Sequence, residues 1–337
     1  MGHHAKASGY DRLVHEFSHR ANLITPNLPL QTRYKVLSRL MQRFIRRANC
    51  DWYNRVSLSV ELKAAVRWLS SREQIFHYLY GENTYSNLGL LKARWANRHA
   101  IIATYHTPIW RFNEVVRNQQ PLGMLDGVIV MSNNQQEFFS EIIGEGRVFF
   151  VPHGVDTQYF SPPEHWHFER KKFVTVGHHL RDFSVLEQVA NAVGKACPDV
   201  EFVVVARPDK LESLTKLPNV ICESGISDER LLEHYRTATA LLLPLEDATA
   251  NNALLEGMAC GLPILSTDIQ GVRDYTSTKN TILHKPGKAN NLVDAIIALS
   301  KDELDVTDMR QASRDLALGL DWQNIAAKTQ EVYQRFT

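Results

Sequence analysis

The sequence predicts an α/β protein of two domains, each an open parallel sheet with helices packed on it. Three observations predict this. The chain has 337 residues, about two ordinary domains' worth. Its C-terminal half alternates short apolar runs with helix-periodic segments. Its N-terminal half repeats that alternation less regularly. Strand and helix in turn call for a parallel sheet covered on both faces.

In the C-terminal half, FVTV (173–176) is a short apolar run that ends at Gly177 and reads as a strand entering a loop. Residues 184–196 have helical spacing through Leu186, Val189 and Val193. VEFVVVA (200–206) reads as a buried strand, because its valines run on without polar alternation. Residues 219–222 form a further short strand and 228–238 (DERLLEHYRTA) a helix. Residues 240–244 form a strand, and 251–260 a helix that Gly261 and Pro263 close. A strand at 264–266 and a helix at 290–300 complete the pattern.

In the N-terminal half, IFHYLY (75–80), AIIATY (100–105), GVIVM (127–131) and VFFV (148–151) read as strands, with residues 33–72 as a helical insertion. Paired prolines at Ser161-Pro162-Pro163 mark the expected boundary, which gives domains at 1–162 and 163–320 and a terminal segment at 321–337. An opening strand is expected in such a domain, yet a Gly-Tyr loop arrives at residues 9–10 with almost nothing before it.

Net charge is +1 but unevenly spread. Residues 1–165 hold 19 Lys and Arg against 13 Asp and Glu, and the remainder 19 against 24. Either the N-terminal half meets something anionic, a membrane surface or a phosphorylated acceptor, or the split is ordinary surface variation. Cys50, Cys197, Cys222 and Cys260 form no C-x-x-C pair and no metal spacing, which fits a reducing cytosol. No apolar run approaches the ~18–20 residues that cross a bilayer, and the polar, basic MGHHAKASGYDRL does not resemble a secretion signal. A cytoplasmic protein is expected, with peripheral contact at the inner membrane face as an option.

Several motifs are absent. No G-x-G-x-x-G follows a strand, which argues against a dinucleotide oxidoreductase, and there is neither a phosphate-binding G-x-x-x-x-G-K-[ST] nor a G-x-S-x-G elbow. His15-Glu16-Phe17-Ser18-His19 matches the zinc-protease helix pattern H-E-x-x-H, but no third ligand stands nearby, so no metal is assigned.

The richest segment is PLEDATANNALLEGMACGLPILSTDIQGVRDY, residues 244 onward. It reads as strand, polar loop, helix, Gly-x-Pro turn, strand and second glycine loop. The loop 247–251 feeds a helix N-terminus, whose free N–H groups and dipole suit a phosphate. Glu256 lies about one and a half turns inside that helix, in reach of a ribose hydroxyl. The C-terminal edge of an open α/β sheet is where ligands bind.

These residues resemble the nucleotide-sugar site of the GT-B glycosyltransferases of the glycogen-synthase-like, retaining group (glycosyl transferases group 1). VPHGVDTQYFSP (151–162) resembles that group's interdomain linker, 225–244 its strand–helix–strand ahead of the donor site, and DWQNIAAKTQEVYQRF (321–336) its terminal helix, which crosses back to the first domain. The resemblance covers most of residues 100–337. It implies two Rossmann-like domains facing a central cleft, a donor such as a UDP- or GDP-sugar, no cofactor, and a glycan, lipid or small-molecule acceptor rather than nucleic acid.

Roles follow position by position from the resemblance. Glu256 matches the glutamate that holds the ribose, and the backbone near Ala250, Asn251 and Asn252 matches the diphosphate cradle. Gly177 matches a glycine followed by basic residues; His178 replaces the usual arginine, which makes Arg181 the better phosphate partner. His106 matches a histidine facing the donor sugar. Ser8, Gly9 and Tyr10 match the first domain's glycine loop, with Tyr10 on the acceptor side. Asp274 falls where the family often has an acid.

The family pattern is Glu, seven residues, Glu. Eight positions before Glu256 stands Ala248, so the glutamate that contacts the donor sugar is absent; Asp247 and Glu246 are neighbours out of register. Taken singly, Glu256 also reads as a solvated helix residue, His106 as a satisfied strand-end histidine and Arg181 as a surface charge. Glu82 follows a strand end and either faces the acceptor or serves the fold.

Residues 34–49 (YKVLSRLMQRFIRRAN) form a basic amphipathic helix candidate that fits either an anionic lipid surface or packing on its own domain. The function expected is transfer of a hexose-type sugar, with retention. A nucleotide-sugar epimerase and a non-catalytic binding subunit are the alternatives.

Overall fold

The structure is a computed structural model and describes residues 9–17, 21–25, 34–92, 99–166 and 171–337. Ser8, and with it Ser18 and His19 of the H-E-x-x-H match, lie outside the described residues. The chain divides into two compact units. One takes Leu13–Pro152 with Ile325–Thr337; the other takes the described residues up to Arg12 with His153–Asn324. The division falls at Pro152–His153, ten residues before the paired prolines.

The N-terminal unit runs α1 (Leu13–Glu16), α2 (Lys35–Ala48), α3 (Arg55–Ser70), β1 (Ile75–Tyr78), α4 (Gly81–Thr84), α5 (Gly89–Lys92), β2 (Ala100–Tyr105), α6 (Ile109–Val115), β3 (Gly127–Val130), α7 (Asn134–Ile143) and β4 (Val148–Phe150). Its strands pair in parallel in the order β1-β2-β3-β4. Every residue of β2 is buried, which is why AIIATY shows no polar alternation. Trp68, Phe76, Tyr105, Phe112 and Phe139 fill the core around it.

One buried carboxylate organises a loop here. Glu61 accepts the N–H groups of Ser86, Asn87 and Leu88 at 2.8–3.0 Å and the Tyr53 hydroxyl at 2.5 Å. A buried carboxyl group is tolerated when its oxygens are hydrogen-bonded this fully. The contact pins the segment after α4 to the middle of α3. His77 is buried between Thr104 Oγ1 (2.7 Å) and Tyr333 Oη (2.6 Å). Burial, then the nearby His106, pushes its pKa down to about 3, so it is neutral at physiological pH.

The C-terminal unit runs β5 (Lys172–Val176), α8 (Phe183–Ala196), β6 (Glu201–Val205), β7 (Val220–Glu223), α9 (Asp228–Thr237), β8 (Ala240–Leu243), α10 (Asn252–Ala259), β9 (Ile264–Thr267), α11 (Gln270–Arg273), β10 (Thr281–His284), α12 (Asn290–Ser300) and α13 (Thr307–Leu318). A last helix, α14 (Trp322–Tyr333), gives its first three residues to this unit and the rest to the other. The sheet order is β10-β9-β8-β5-β6-β7, all parallel.

Side chains alternate across this sheet with period two. Val174, Val203, Leu241 and Leu243 enter the core beneath α9 and α10. Phe173, Phe202, Val204 and Leu242 enter the core beneath α8 and α12. Three elements went unread in the sequence: α11, which falls where a glycine loop was expected, β10 and α13. TILH is a short edge strand, and α13 is polar with only Ser313 and Ala317 buried, so neither carries a strong periodic signal.

Candidate functional site

The C-terminal unit's sheet reverses direction between β5 and β8. From β5 the chain builds outward through β6 and β7, then returns to lay β8 on the other side of β5. The carboxyl ends of strands at such a switch point are where open α/β sheets bind ligands. Here the loops that leave those ends follow Val176 and Leu243.

The two loops are laced together. Asp182 N–H donates to Pro244 O at 3.0 Å, and Glu246 N–H donates to Leu180 O at 3.0 Å. Leu180 holds a left-handed φ of +54°, a strained conformation for a non-glycine residue. Gly177 has φ +90°, and a Cβ there would lie 2.7 Å from Arg181 Nη2. Only glycine fits beneath that guanidinium.

Arg181 is anchored by its surroundings. Nε and Nη2 donate to Val176 O at 3.0 and 2.8 Å, and Nη1 to His179 O at 3.0 Å. Nη2 also donates to Asn251 Oδ1 at 3.2 Å. Burial lowers its pKa to about 10, which leaves it fully cationic at neutral pH. A surface charge would not be held this way. His178, which replaces the expected arginine, is exposed; partial desolvation and then Arg207 and Arg181 hold its pKa below the ordinary value.

Asn251 is the N-cap of α10, and its Oδ1 also accepts Leu254 N–H at 3.2 Å. Leu255 N–H closes on Asn251 O at 3.1 Å. Among the described residues no acceptor meets the N–H groups of Asn252 and Ala253. The positive end of the helix and the Arg181 cation therefore point to one place. Ala250 is half-buried just ahead of them, and Asp247 Oδ1 accepts Ala248 N–H at 2.8 Å.

Glu256 lies inward along α10 and is 4 % exposed. Its Oε2 accepts the Tyr235 hydroxyl from α9 at 2.8 Å. A small cavity of about 10 Å³, room for one water, is lined by Gly9, His153, Asn252, Glu256 and Trp322. A separate, larger hollow of about 660 Å³ is lined in part by His178, Arg181, Lys210 and Glu246. That volume suits a nucleotide-sized ligand.

The frame around α10 is tight. A Cβ on Gly257 would lie 2.9 Å from Leu241 Cδ2, so the helix sits close on β8. Arg314 closes its far end by donating to Ala259 O at 2.6 Å and to the carbonyls of Phe160 and Thr157 at 3.0 Å. Gly271 touches the loop 247–251 ahead of α10: a Cβ there would lie 2.0 Å from Ala248 O. Ala248 itself is buried. Asp274 Oδ1 accepts Gln270 Nε2 at 2.7 Å.

The C-terminal unit thus gathers Gly9, Gly177, His178, Arg181, Asp247, Ala250, Asn251, Asn252 and Glu256. Tyr10 also belongs to this unit, buried against His153 (5.5 Å) and Trp322 (5.9 Å). A ring so covered packs the fold and presents no face to an acceptor. His106 and Glu82 belong to the N-terminal unit. His106 Nε2 pairs with Leu79 O at 2.7 Å, and its ring stacks on Tyr80. Glu82 is buried; its Oε1 accepts His106 N–H and Thr107 Oγ1, each at 3.0 Å.

Tyr235, His153, Trp322 and Arg314 went unread in the sequence. His153 N–H donates to Tyr275 Oη at 3.0 Å, and a Cβ on Gly154 would lie 2.4 Å from the Trp322 ring. His153, Trp322 and Tyr235 each stand inside a segment that carries the family resemblance, but nothing in those segments singled them out.

Residues 170–302 match the family model of Glycosyl transferases group 1. A D-inositol 3-phosphate glycosyltransferase of Arthrobacter sp. (strain FB24) is 24% identical over 244 residues, 64% of this chain and 58% of that protein. The chain spans about half the length of the curated relatives it matches. Among solved structures, a sucrose-phosphate synthase from Thermosynechococcus elongatus superposes with a TM-score of 0.71 at 18% identity, covering 98% of this chain and 94% of that one. The UDP complex of Anabaena Alr3699/HepE gives 0.64 at 13% identity, covering 82% of each chain. Both sheets have the parallel α/β build of these GT-B neighbours, and over residues 170–302 the chain is similar to the group 1 glycosyl transferases.

Proposed function

We propose that the chain transfers a hexose-type glycosyl group from a nucleoside diphosphate sugar, a UDP- or GDP-sugar, to an acceptor hydroxyl, with retention at the anomeric carbon. The observation that carries this reading is the convergence of Arg181 and the N-terminus of α10 at the β5/β8 switch point.

The chemistry follows from charge. As the bond from the anomeric carbon to the diphosphate breaks, negative charge grows on the leaving group. The N–H groups of Asn252 and Ala253 and the Arg181 guanidinium are preorganised donors for it. Glu256, steadied by Tyr235, accepts from the ribose hydroxyls. Gly177, His178, Asp247, Ala250, Asn251 and Gly9 complete the donor side, and Ser8 joins them by resemblance alone. His106 is the proposed sugar-facing group by resemblance, and Glu82 is the acceptor-side candidate by its place after a strand end. No enzymic nucleophile is assigned.

The relatives named for D-inositol 3-phosphate, together with the positive charge of residues 1–165, favour a phosphorylated or lipid-linked acceptor. A cytoplasmic setting belongs to the same reading: all four cysteines are free, and among the described residues no helix is long and apolar enough to cross a membrane.

The test is to incubate the protein with UDP- and GDP-sugars, with and without inositol phosphate or a lipid extract. Acceptor-dependent release of nucleoside diphosphate is the expected result. Epimerised donor without acceptor, or tight nucleotide binding with no turnover for any pair, overturns it.

A further inference from the structure

The N-terminal unit carries a surface that the donor site does not use. α2 packs inward through Met41 and Ala48, with Phe44 and Ile45 beside them. That accounts for one flank only. Val36 (77 % exposed), Leu37 and Leu40 stand in solvent on the next flank, with Leu40 one helical turn from the other two. Tyr34, just before the helix, is also exposed. On the neighbouring α3, Leu62, Val66 (68 % exposed) and Leu69 form a second exposed strip at helical spacing.

Charge sharpens the picture. α2 holds Lys35, Arg39, Arg43, Arg46 and Arg47 and no acidic residue. α3 adds Arg55, Lys63 and Arg67 against the single buried Glu61. Exposed aliphatic side chains next to unopposed cations are costly in water and characterise an interfacial helix.

We propose that α2 lies on an anionic bilayer surface, with Val36, Leu37 and Leu40 entering the headgroup boundary and the arginines on lipid phosphates. A second copy of the chain is the poorer occupant, because a two-fold interface would press five cations against the same five. The inference is independent of the transfer reading. It adds to it only a place where a lipid-linked acceptor would be met.

Co-sedimentation of the full chain with phosphatidylglycerol-containing vesicles tests it, against pure phosphatidylcholine vesicles, at low and high salt. Selective, salt-sensitive binding to the anionic vesicles is expected. V36Q/L37Q/L40Q should weaken that binding about tenfold or more, and R39Q/R43Q/R47Q about a hundredfold, at ordinary strengths per buried apolar group and per cation. Circular dichroism and UDP or GDP affinity should stay as in the wild type, which separates loss of contact from misfolding. Equal binding to neutral vesicles, no binding at low salt, or variants that bind like the wild type overturn the proposal. So does a dimer in sedimentation velocity that V36Q/L37Q/L40Q abolishes.

Discussion

Asn251 Oδ1 serves two donors at once: it caps α10 through Leu254 N–H and receives Nη2 of Arg181, each at 3.2 Å. The helix terminus and the cation are thereby fixed to one another before any ligand arrives. Preorganisation of this kind costs nothing at the moment of reaction, which is why it can act on the transition state.

Arg181→Ala should lower kcat by ~10²–10³, the usual cost of deleting one donor aimed at developing charge. Arg181→Lys should recover little, because one ammonium cannot span Val176 O, His179 O and Asn251 Oδ1 together. Asn251→Ala should lower both stability and kcat, and the double variant should fall short of the sum, because the two residues share one oxygen. Steady-state kinetics with the matched donor check this; additive losses would separate the cap from the cation.

Tyr235→Phe removes only the hydroxyl that steadies Glu256 Oε2. Nucleoside diphosphate affinity should fall about three- to tenfold, the worth of one ordinary hydrogen bond, with kcat for saturating donor nearly unchanged. Combined with Glu256→Gln, the loss should not grow, since the hydroxyl acts through that carboxylate. Calorimetric titration of the four proteins reads the cycle directly.

How much of this was legible in the sequence depends on range. The run from Asn251 to Pro263 was readable because each of its signals is local: an Asn cap, a buried helix, a Gly-x-Pro stop. The four buried residues of β8 and the six of β2 were readable as unbroken apolar runs. The contact of Tyr235 with Glu256 was not, because it joins two helices 21 residues apart and neither residue is unusual in its own segment. The same holds for Trp322 over Gly154. Gly9 and Tyr10 were read by resemblance as the first domain's glycine loop, yet they pack with His153 and Trp322. Periodicity reports local geometry and is silent on which distant side chains meet.

Gly271→Ala should show how firmly the loop ahead of α10 is held. The new methyl would begin 2.0 Å from Ala248 O and 2.7 Å from Thr249 O, both backbone atoms. Either α11 or the loop must move, at a cost of about 1–3 kcal/mol in stability. Because the loop carries Ala250 and Asn251, donor KM should rise about tenfold as well. A fall in melting temperature without a change in KM would mean that α11 alone yields.

Glu82 poses the last question, whether its carboxylate serves the fold or the acceptor. Both donors it meets, His106 N–H and Thr107 Oγ1, reach Oε1, while Oε2 is buried with no partner among the described residues. Burial raises its pKa above the ordinary value near 4.5, against the pull of those hydrogen bonds. The sign then follows. A carboxylic acid with a raised pKa in the folded state keeps its proton longer there than in the unfolded chain, so stability falls as pH climbs from the unfolded pKa through the folded one. Glu82→Gln has nearly the shape of the protonated acid and never ionises. Its melting temperature should match the wild type in mild acid and exceed it by about 2–4 °C at pH 8, with acceptor KM little changed. A pH-independent difference would mean that Glu82 stays ionised in the fold. A tenfold rise in acceptor KM at unchanged stability would instead make it an acceptor ligand, and the buried Oε2 would then be the atom that the acceptor uncovers.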